Sequence, residues 1–135
     1  MINSVGRLPL LAILVGLGGC GLSGPAHDAP VANAAAVVDM GFSSFDPAVV
    51  HVRAGQSVEW RNTALITHSV TDDSSVAADP KDASVPQGAT AFNSGDISAG
   101  ETYSQTFTAP GTYKYFCTHH EGMGMLGTVI VDPAS

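Results

Sequence analysis

A short segment near the C-terminal end of the chain concentrates side chains that can bind a soft metal ion. Residues 117–125 read CTHHEGMGM, with a thiol at Cys117, imidazoles at His119 and His120, and thioethers at Met123 and Met125. Thiolate and thioether ligands favour copper and similar soft ions. The segment therefore predicts a metal site in which copper is the first candidate.

A second histidine from elsewhere would complete a two-histidine, one-cysteine ligand set with a weak axial methionine, the set found in blue-copper sites. Residues 62–70, NTALITHSV, supply His68 in a loop. Taken alone, His68 fits a hydrogen-bonded loop histidine and Cys117 fits a small buried hydrophobe. Taken together, the four ligand positions indicate one metal site.

The elements that must position these side chains are strands. From Val37 onward, short apolar alternations are separated by Gly, Pro, Asp and Asn, and no stretch has the helical i, i+3, i+4 pattern over three turns. Short strands of this kind predict an all-β sandwich or barrel. The polar, proline-interrupted residues 71–87 predict a long surface excursion. The predicted strands are 49–52, 58–60, 69–70, 102–107, 113–116 and 128–131.

The alternation also predicts which side chains form the core. Tyr113 and Tyr115 share a strand face with Cys117, whereas Lys114 and Phe116 take the other face, so Cys117 is expected to point inward. The predicted core consists of Phe45, Val50, Val52, Val58, Trp60, Phe107, Tyr113, Tyr115, Val129 and Val131.

These motifs together resemble the cupredoxins, the small blue copper proteins, of the plastocyanin and pseudoazurin type. An aromatic strand ends in Cys117, the spacing C-x-x-H-x-x-x-x-M leads through His120 to Met125, and M-x-G at Gly127 opens a last strand. Residues 54–60, 92–95 and 109–113, and His68, also match the family pattern. The resemblance implies a Greek-key β-sandwich with the ligand loops at one end. It further implies one copper, cycling between Cu(I) and Cu(II), on His68, Cys117, His120 and Met125.

Two ligand positions have competitors nearby. Met123 has the shorter C-x-x-H-x-x-M spacing found in amicyanin, but only Met125 is followed by the Leu126-Gly127 entry into the last strand, so Met125 is preferred as axial ligand. Spacing from Cys117 selects His120, which leaves His119 as a rim residue.

The resemblance carries further expectations and two departures. It implies that the backbone N–H of Ser69 donates to the Cys117 thiolate. Phe116 stands where plant plastocyanins have a tyrosine, and Ser69 where an asparagine is common. In plant plastocyanins that tyrosine offers a second route for electrons, and the asparagine side chain links the two ligand loops. Because Phe116 lacks the hydroxyl and Ser69 has a shorter side chain, we do not expect either feature here. The resemblance also implies transient docking of redox partners on an apolar patch, here Leu65, Ile66, His120, Gly122, Met123, Gly124 and Leu126.

The expected function is one-electron transfer between redox proteins such as cytochromes, by a monomer that is not an enzyme. A copper oxidase or nitrite reductase needs further copper ligands, and His27, His51 and His119 are not arranged as a second site. The formal net charge of −7 argues against a nucleic-acid surface. A copper-binding or trafficking lipoprotein without a redox partner is the alternative.

The N-terminal residues resemble an export signal. Arg7 precedes the apolar run LPLLAILVGL, and Leu17-Gly18-Gly19-Cys20 resembles the lipobox of bacterial lipoproteins. We expect a signal peptide at 1–19, a lipidated Cys20 with a flexible tether to residue 36, and a copper-binding domain at 37–135, with plain cleavage near Cys20 as the alternative. The mature chain would be a periplasmic or cell-surface, membrane-anchored protein. Its four basic and twelve acidic residues give a charge of −8.

Overall fold

The structure is a computed structural model, and it describes residues 34–135. The expected signal peptide, Cys20, His27 and the tether up to residue 33 lie outside the described residues. Among the described residues, no helix is long and apolar enough to span a membrane.

Two β-sheets form a sandwich, as the sequence predicts. One sheet has the order β2-β1-β4-β5 and the other β3-β7-β6, and the connections β2–β3, β3–β4 and β5–β6 pass from one sheet to the other. The parallel pairs are β1 with β4 and β3 with β7, and the remaining pairs are antiparallel. The strands are β1 (Ala36–Met40), β2 (Phe45–Asp46), β3 (Val49–Arg53), β4 (Gln56–Asn62), β5 (Thr102–Phe107), β6 (Gly111–Phe116) and β7 (Leu126–Asp132).

The core lies between the sheets and contains all ten predicted residues. Trp60 is at its centre, with its ring 5.3 Å from that of Tyr115 at an interplanar angle of 84°, an edge-to-face arrangement favoured by aromatic rings. This rigid interior supports the strand ends that carry the candidate ligands. The core further includes Val38, Met40, Val70, Phe92, Ile97, Cys117 and Met125.

Two local predictions were wrong. Ala36, placed in the tether, is the first residue of β1, which pairs in parallel with β4 over its whole length. The predicted strand at 69–70 is replaced by single bridges on either side, from His68 to Ile97 and from Thr71 to Phe116. The chain here crosses from the end of β4 to the free edge of β6, so it pairs with neighbours at single residues only.

The predicted surface excursion at residues 71–87 runs along the free edge of β6. Thr71 exchanges two backbone hydrogen bonds with Phe116, of 3.1 and 2.9 Å, and Ser84 exchanges two of 3.0 Å with Lys114. The excursion also contains two 3₁₀ turns, Ser74–Val76 and Pro80–Asp82. It therefore covers a strand edge that would otherwise present unpaired backbone groups.

Candidate metal centre

Three of the predicted ligands converge at one end of the sandwich. His68 lies in the segment after β4, Cys117 follows β6, and His120 precedes the 3₁₀ turn Glu121–Met123. Their ligand atoms all lie within 4.8 Å of one another. Cys117 Sγ is 3.7 Å from His68 Nδ1 and 3.5 Å from His120 Nδ1.

These separations fit a single metal ion. Metal bonds of about 2.0 Å to nitrogen and about 2.3 Å to sulfur, at angles between tetrahedral and trigonal, place the nitrogen and sulfur atoms about 3.5–3.7 Å apart. Cys117 is fully buried and forms no disulfide among the described residues. The donor set therefore consists of one thiol sulfur and two imidazole nitrogens, a combination that suits copper.

Burial prepares His68 for metal binding. The ring is fully buried, and burial, with the neighbouring His120 and to a lesser degree His119, holds the pKa of His68 below its usual value. An interaction with the Gly41 backbone raises the pKa of His68 and so opposes these effects. It is not a hydrogen bond of normal geometry, since His68 Nε2 has no such partner. A lowered pKa keeps the imidazole neutral, the form that binds metals.

The two candidate axial methionines occupy different environments. Met125 is fully buried in the core, and its backbone bridges two candidate ligands: its C=O accepts from the Cys117 N–H at 3.1 Å and its N–H donates to the His120 C=O at 3.2 Å. The Met123 side chain is 58% exposed. Of the two methionines, only Met125 lies on the interior side of this loop.

Ser69 joins the two ligand loops, which corrects an expectation from the sequence. Its backbone N–H lies 3.4 Å from Cys117 Sγ, and its hydroxyl lies 3.9 Å from the same sulfur. The Ser69 hydroxyl also accepts the Thr118 N–H at 2.9 Å and lies 2.8 Å from the Thr118 hydroxyl. The side-chain link between the two ligand loops, which we did not expect, is therefore present. It forms because the backbones at Ser69 and Thr118 lie close enough for a serine side chain to join them.

Two further contacts of this loop were not predicted. His119, expected at the rim, is exposed with its Nε2 atom 2.7 Å from a carboxylate oxygen of Asp96. Glu121 accepts backbone hydrogen bonds from Ala78 and Asp79 in the excursion. Each partner is more than 20 residues away, so no local motif could have indicated these contacts.

Apolar side chains are exposed around the candidate site. Leu65, Met123 and Leu126, three members of the predicted patch, are all exposed. Phe42 is a fourth exposed apolar side chain, which the sequence analysis missed, and it is 69% exposed. It follows Gly41, whose backbone interacts with the His68 ring.

His51, which the sequence analysis placed far from the site, lies 3.8 Å from Asp132 on an exposed part of the surface.

Comparisons with known proteins agree with this fold and donor set. Residues 32–132 match the model of the copper-binding plastocyanin/azurin family. A chloroplastic plastocyanin of Tetradesmus obliquus is 40% identical over 110 residues, covering 78% of this chain and 70% of the relative. A plastocyanin of Scenedesmus fuscus is 38% identical over 97 residues, covering 69% of this chain and 91% of the relative.

Solved structures of amicyanin variants are also similar. A reduced tryptophan-to-tyrosine variant is 31% identical with a TM-score of 0.61, covering 80% of this chain and 95% of that chain. The Cu(I) form of a methionine-to-alanine variant is 33% identical with a TM-score of 0.60, covering 76% of this chain and 87% of that chain.

Fold and donor set together define a small copper-binding β-sandwich. The chain belongs to the plastocyanin/azurin family of copper-binding proteins.

Proposed function

We propose that this protein is a one-electron carrier whose copper is bound by His68, Cys117, His120 and Met125. The observation that carries the proposal is the convergence of one buried thiol and two imidazoles within 4.8 Å at the end of the sandwich. Membership of the plastocyanin/azurin family supports it. The family assignment also favours a carrier over an enzyme.

The residues around the site suit rapid electron transfer. Copper, when bound, supplies the change between Cu(I) and Cu(II). The Ser69 N–H points at the thiolate and disperses its charge, which is one of the contacts that tune a reduction potential. Cys117 and Met125 are held by strand ends of the core, so the donors keep their places without a large rearrangement.

His120 connects the buried site to the surface. It is the only one of the three clustered donors that is not fully buried. Exposed apolar side chains occur in the same loop at Met123, just after it at Leu126, and at Leu65 in the segment that leads to His68. Such a patch is costly on a monomer and is typical of a docking surface. A redox protein such as a cytochrome would bind there through a small, transient interface. The charge of −8 on the mature chain would attract a basic partner at long range.

The visible absorption spectrum tests the proposal. Purified full-length chain receives one equivalent of Cu(II), then ascorbate, then an oxidant. We expect an intense thiolate-to-copper band that bleaches on reduction and returns on reoxidation. A colourless complex would contradict the redox site and leave the second candidate, a copper-trafficking protein of the same fold, which the convergent soft donors also fit.

We also propose that the chain is exported and anchored by a lipid on Cys20, on the basis of the motif at residues 17–20. This places the carrier in the periplasm or at the cell surface. Mass spectrometry of the protein from the membrane fraction should show an acylated N-terminal Cys20. A soluble product with an unmodified cysteine would favour ordinary cleavage instead.

A further inference from the structure

The loop that carries His120 is tied to the rest of the protein at three neighbouring positions. On one side, Thr118 is bound to Ser69. His119 pairs with Asp96, both exposed to solvent. On the other side of His120, Glu121 contacts the excursion at Ala78 and Asp79.

The Glu121 contact is the most specific of the three. One carboxylate oxygen accepts the Ala78 N–H at 2.8 Å, and the other accepts the Asp79 N–H at 2.9 Å. Hydrogen bonds to a charged acceptor are about twice as strong as those between neutral groups. A surface glutamate with only a solubilising role would direct its carboxylate into water. Here both oxygens bind the backbone of a segment that starts more than 40 residues away.

The backbone hydrogen bonds of His120 itself do not fix the loop to the excursion. Its N–H donates to the Cys117 C=O at 3.1 Å, and its C=O accepts from the N–H groups of Met123 and Met125 at 3.0 and 3.2 Å. All of these partners belong to the same loop. The Glu121 hydrogen bonds therefore supply what the His120 backbone does not, a direct link from this part of the loop to the excursion.

We propose that Glu121 is a positioning residue for electron transfer: by binding the backbone of Ala78 and Asp79, it holds His120 in one place in both oxidation states. The inference rests on the proposed carrier function with His120 as a ligand. A loop that shifts when the copper changes oxidation state adds to the reorganisation barrier. A pinned loop lowers that barrier and slows release of the metal through the partly exposed His120 side.

Two measurements on copper-loaded, full-length protein test this proposal. The first is the electron self-exchange rate, from NMR line broadening in mixtures of the Cu(I) and Cu(II) forms. The second is the rate at which Cu(I) is released to bicinchoninate. Glu121→Ala removes both acceptors, whereas Glu121→Gln keeps one and turns an amide N–H₂ group towards the other donor. Asp39→Asn, at an exposed position of β1, is the control for the loss of one negative charge.

We expect the Glu121 variants to remain blue, with self-exchange slowed and Cu(I) release accelerated by roughly three- to tenfold, the effect of losing one or two exposed charge-assisted hydrogen bonds. In salt of about 1 M the Debye length is about 3 Å, so any difference in these rates between variant and parent that is caused by charge alone should largely disappear. Asp39→Asn should match the parent protein in both rates.

Unchanged rates in Glu121→Ala would overturn the proposal, and so would equal changes in Asp39→Asn. If Glu121→Ala does not fold, Glu121→Gln decides between the same outcomes. Absence of a blue band in the unmodified protein would contradict the proposed function itself, which separates that failure from a failure of the Glu121 inference.

Discussion

The Ser69 hydroxyl accepts the Thr118 backbone N–H at 2.9 Å, which joins the residue after His68 to the residue after Cys117. The same serine directs its own N–H at Cys117 Sγ, at 3.4 Å. One small side chain thus links the two loops that carry the donors and keeps a hydrogen-bond donor on the sulfur.

Replacing Ser69 by Ala should loosen this link. The change leaves the part-buried Thr118 N–H without its acceptor but keeps the backbone N–H to the sulfur. We therefore expect a blue protein with a free energy of unfolding lowered by about 1–2 kcal/mol, measured by urea denaturation. Thr118→Val, which keeps the N–H and loses only the hydroxyl, is the matched control and should lose less. Equal stability of Ser69→Ala and the parent protein would show that the link contributes nothing.

Replacing Cys117 by Ser should abolish the intense visible band, because that absorption requires the thiolate. The variant keeps both imidazoles, so weak binding of Cu(II) without blue colour is the expected result. Cys20→Ser provides the control, since it removes the other cysteine of the chain and should leave the spectrum unchanged. A Cys117→Ser variant that stays blue would refute the ligand assignment.

The two methionines of the loop should respond differently to replacement by leucine. Met125→Leu removes a donor that we place at the metal, which favours Cu(I) and should raise the reduction potential by at least about 60 mV, a tenfold change in the one-electron equilibrium. Met123 is exposed, so Met123→Leu should change the potential little. Voltammetry of both variants checks this. The reverse ranking would move the axial ligand to Met123.

The ligand loop was predictable because its information is local. Cys117, His120 and Met125 lie within one short segment, and the alternation of Tyr113 and Tyr115 already indicated that the cysteine points inward. The core was predictable for the same reason, since period-two burial needs only neighbouring residues. His68 was found only because the ligand set needs a second histidine, since nothing in its own neighbourhood distinguishes a ligand from a structural histidine.

The remainder depends on tertiary contacts. β1 is not among the predicted strands, because it follows an alanine-rich stretch and is recognisable only by its pairing with β4 and β2. The segment around Ser69 alternates like a strand but crosses between sheet edges. The Glu121 contacts join an acidic side chain to backbone groups, which leave no signature in the sequence.

A buried carboxylate in the excursion gives a prediction about pH. Asp72 is 2% exposed; its Oδ1 accepts the Phe92 N–H at 2.7 Å, whereas Oδ2 is buried without a hydrogen-bond partner. Burial raises the pKa of Asp72 to about 6, with a smaller contribution from Asp73 and an opposing one from the Phe92 N–H. In the unfolded chain the same group titrates near its ordinary value of about 3.9.

The sign of the effect follows from these two values. Between about pH 4 and pH 6 the native state holds a proton that the unfolded state releases, so this contribution to stability is complete below about pH 4 and is lost as the pH rises through 6. Asp72→Asn imitates the protonated form and keeps the acceptor for Phe92. We expect its free energy of unfolding at pH 7 to exceed that of the parent protein by about 1–2 kcal/mol, with the difference vanishing near pH 4.

The neighbouring Asp73 supplies the control for this pH dependence. Its exposed carboxylate accepts the Ser75 hydroxyl and N–H, and these hydrogen bonds lower the pKa of Asp73, so its contribution is present at neutral pH and lost in acid. Asp73→Asn should therefore bring no gain in stability at pH 7. Urea denaturation of both variants and the parent between pH 4 and pH 7 separates the two residues. A parent-like slope in Asp72→Asn would assign the titration to another group.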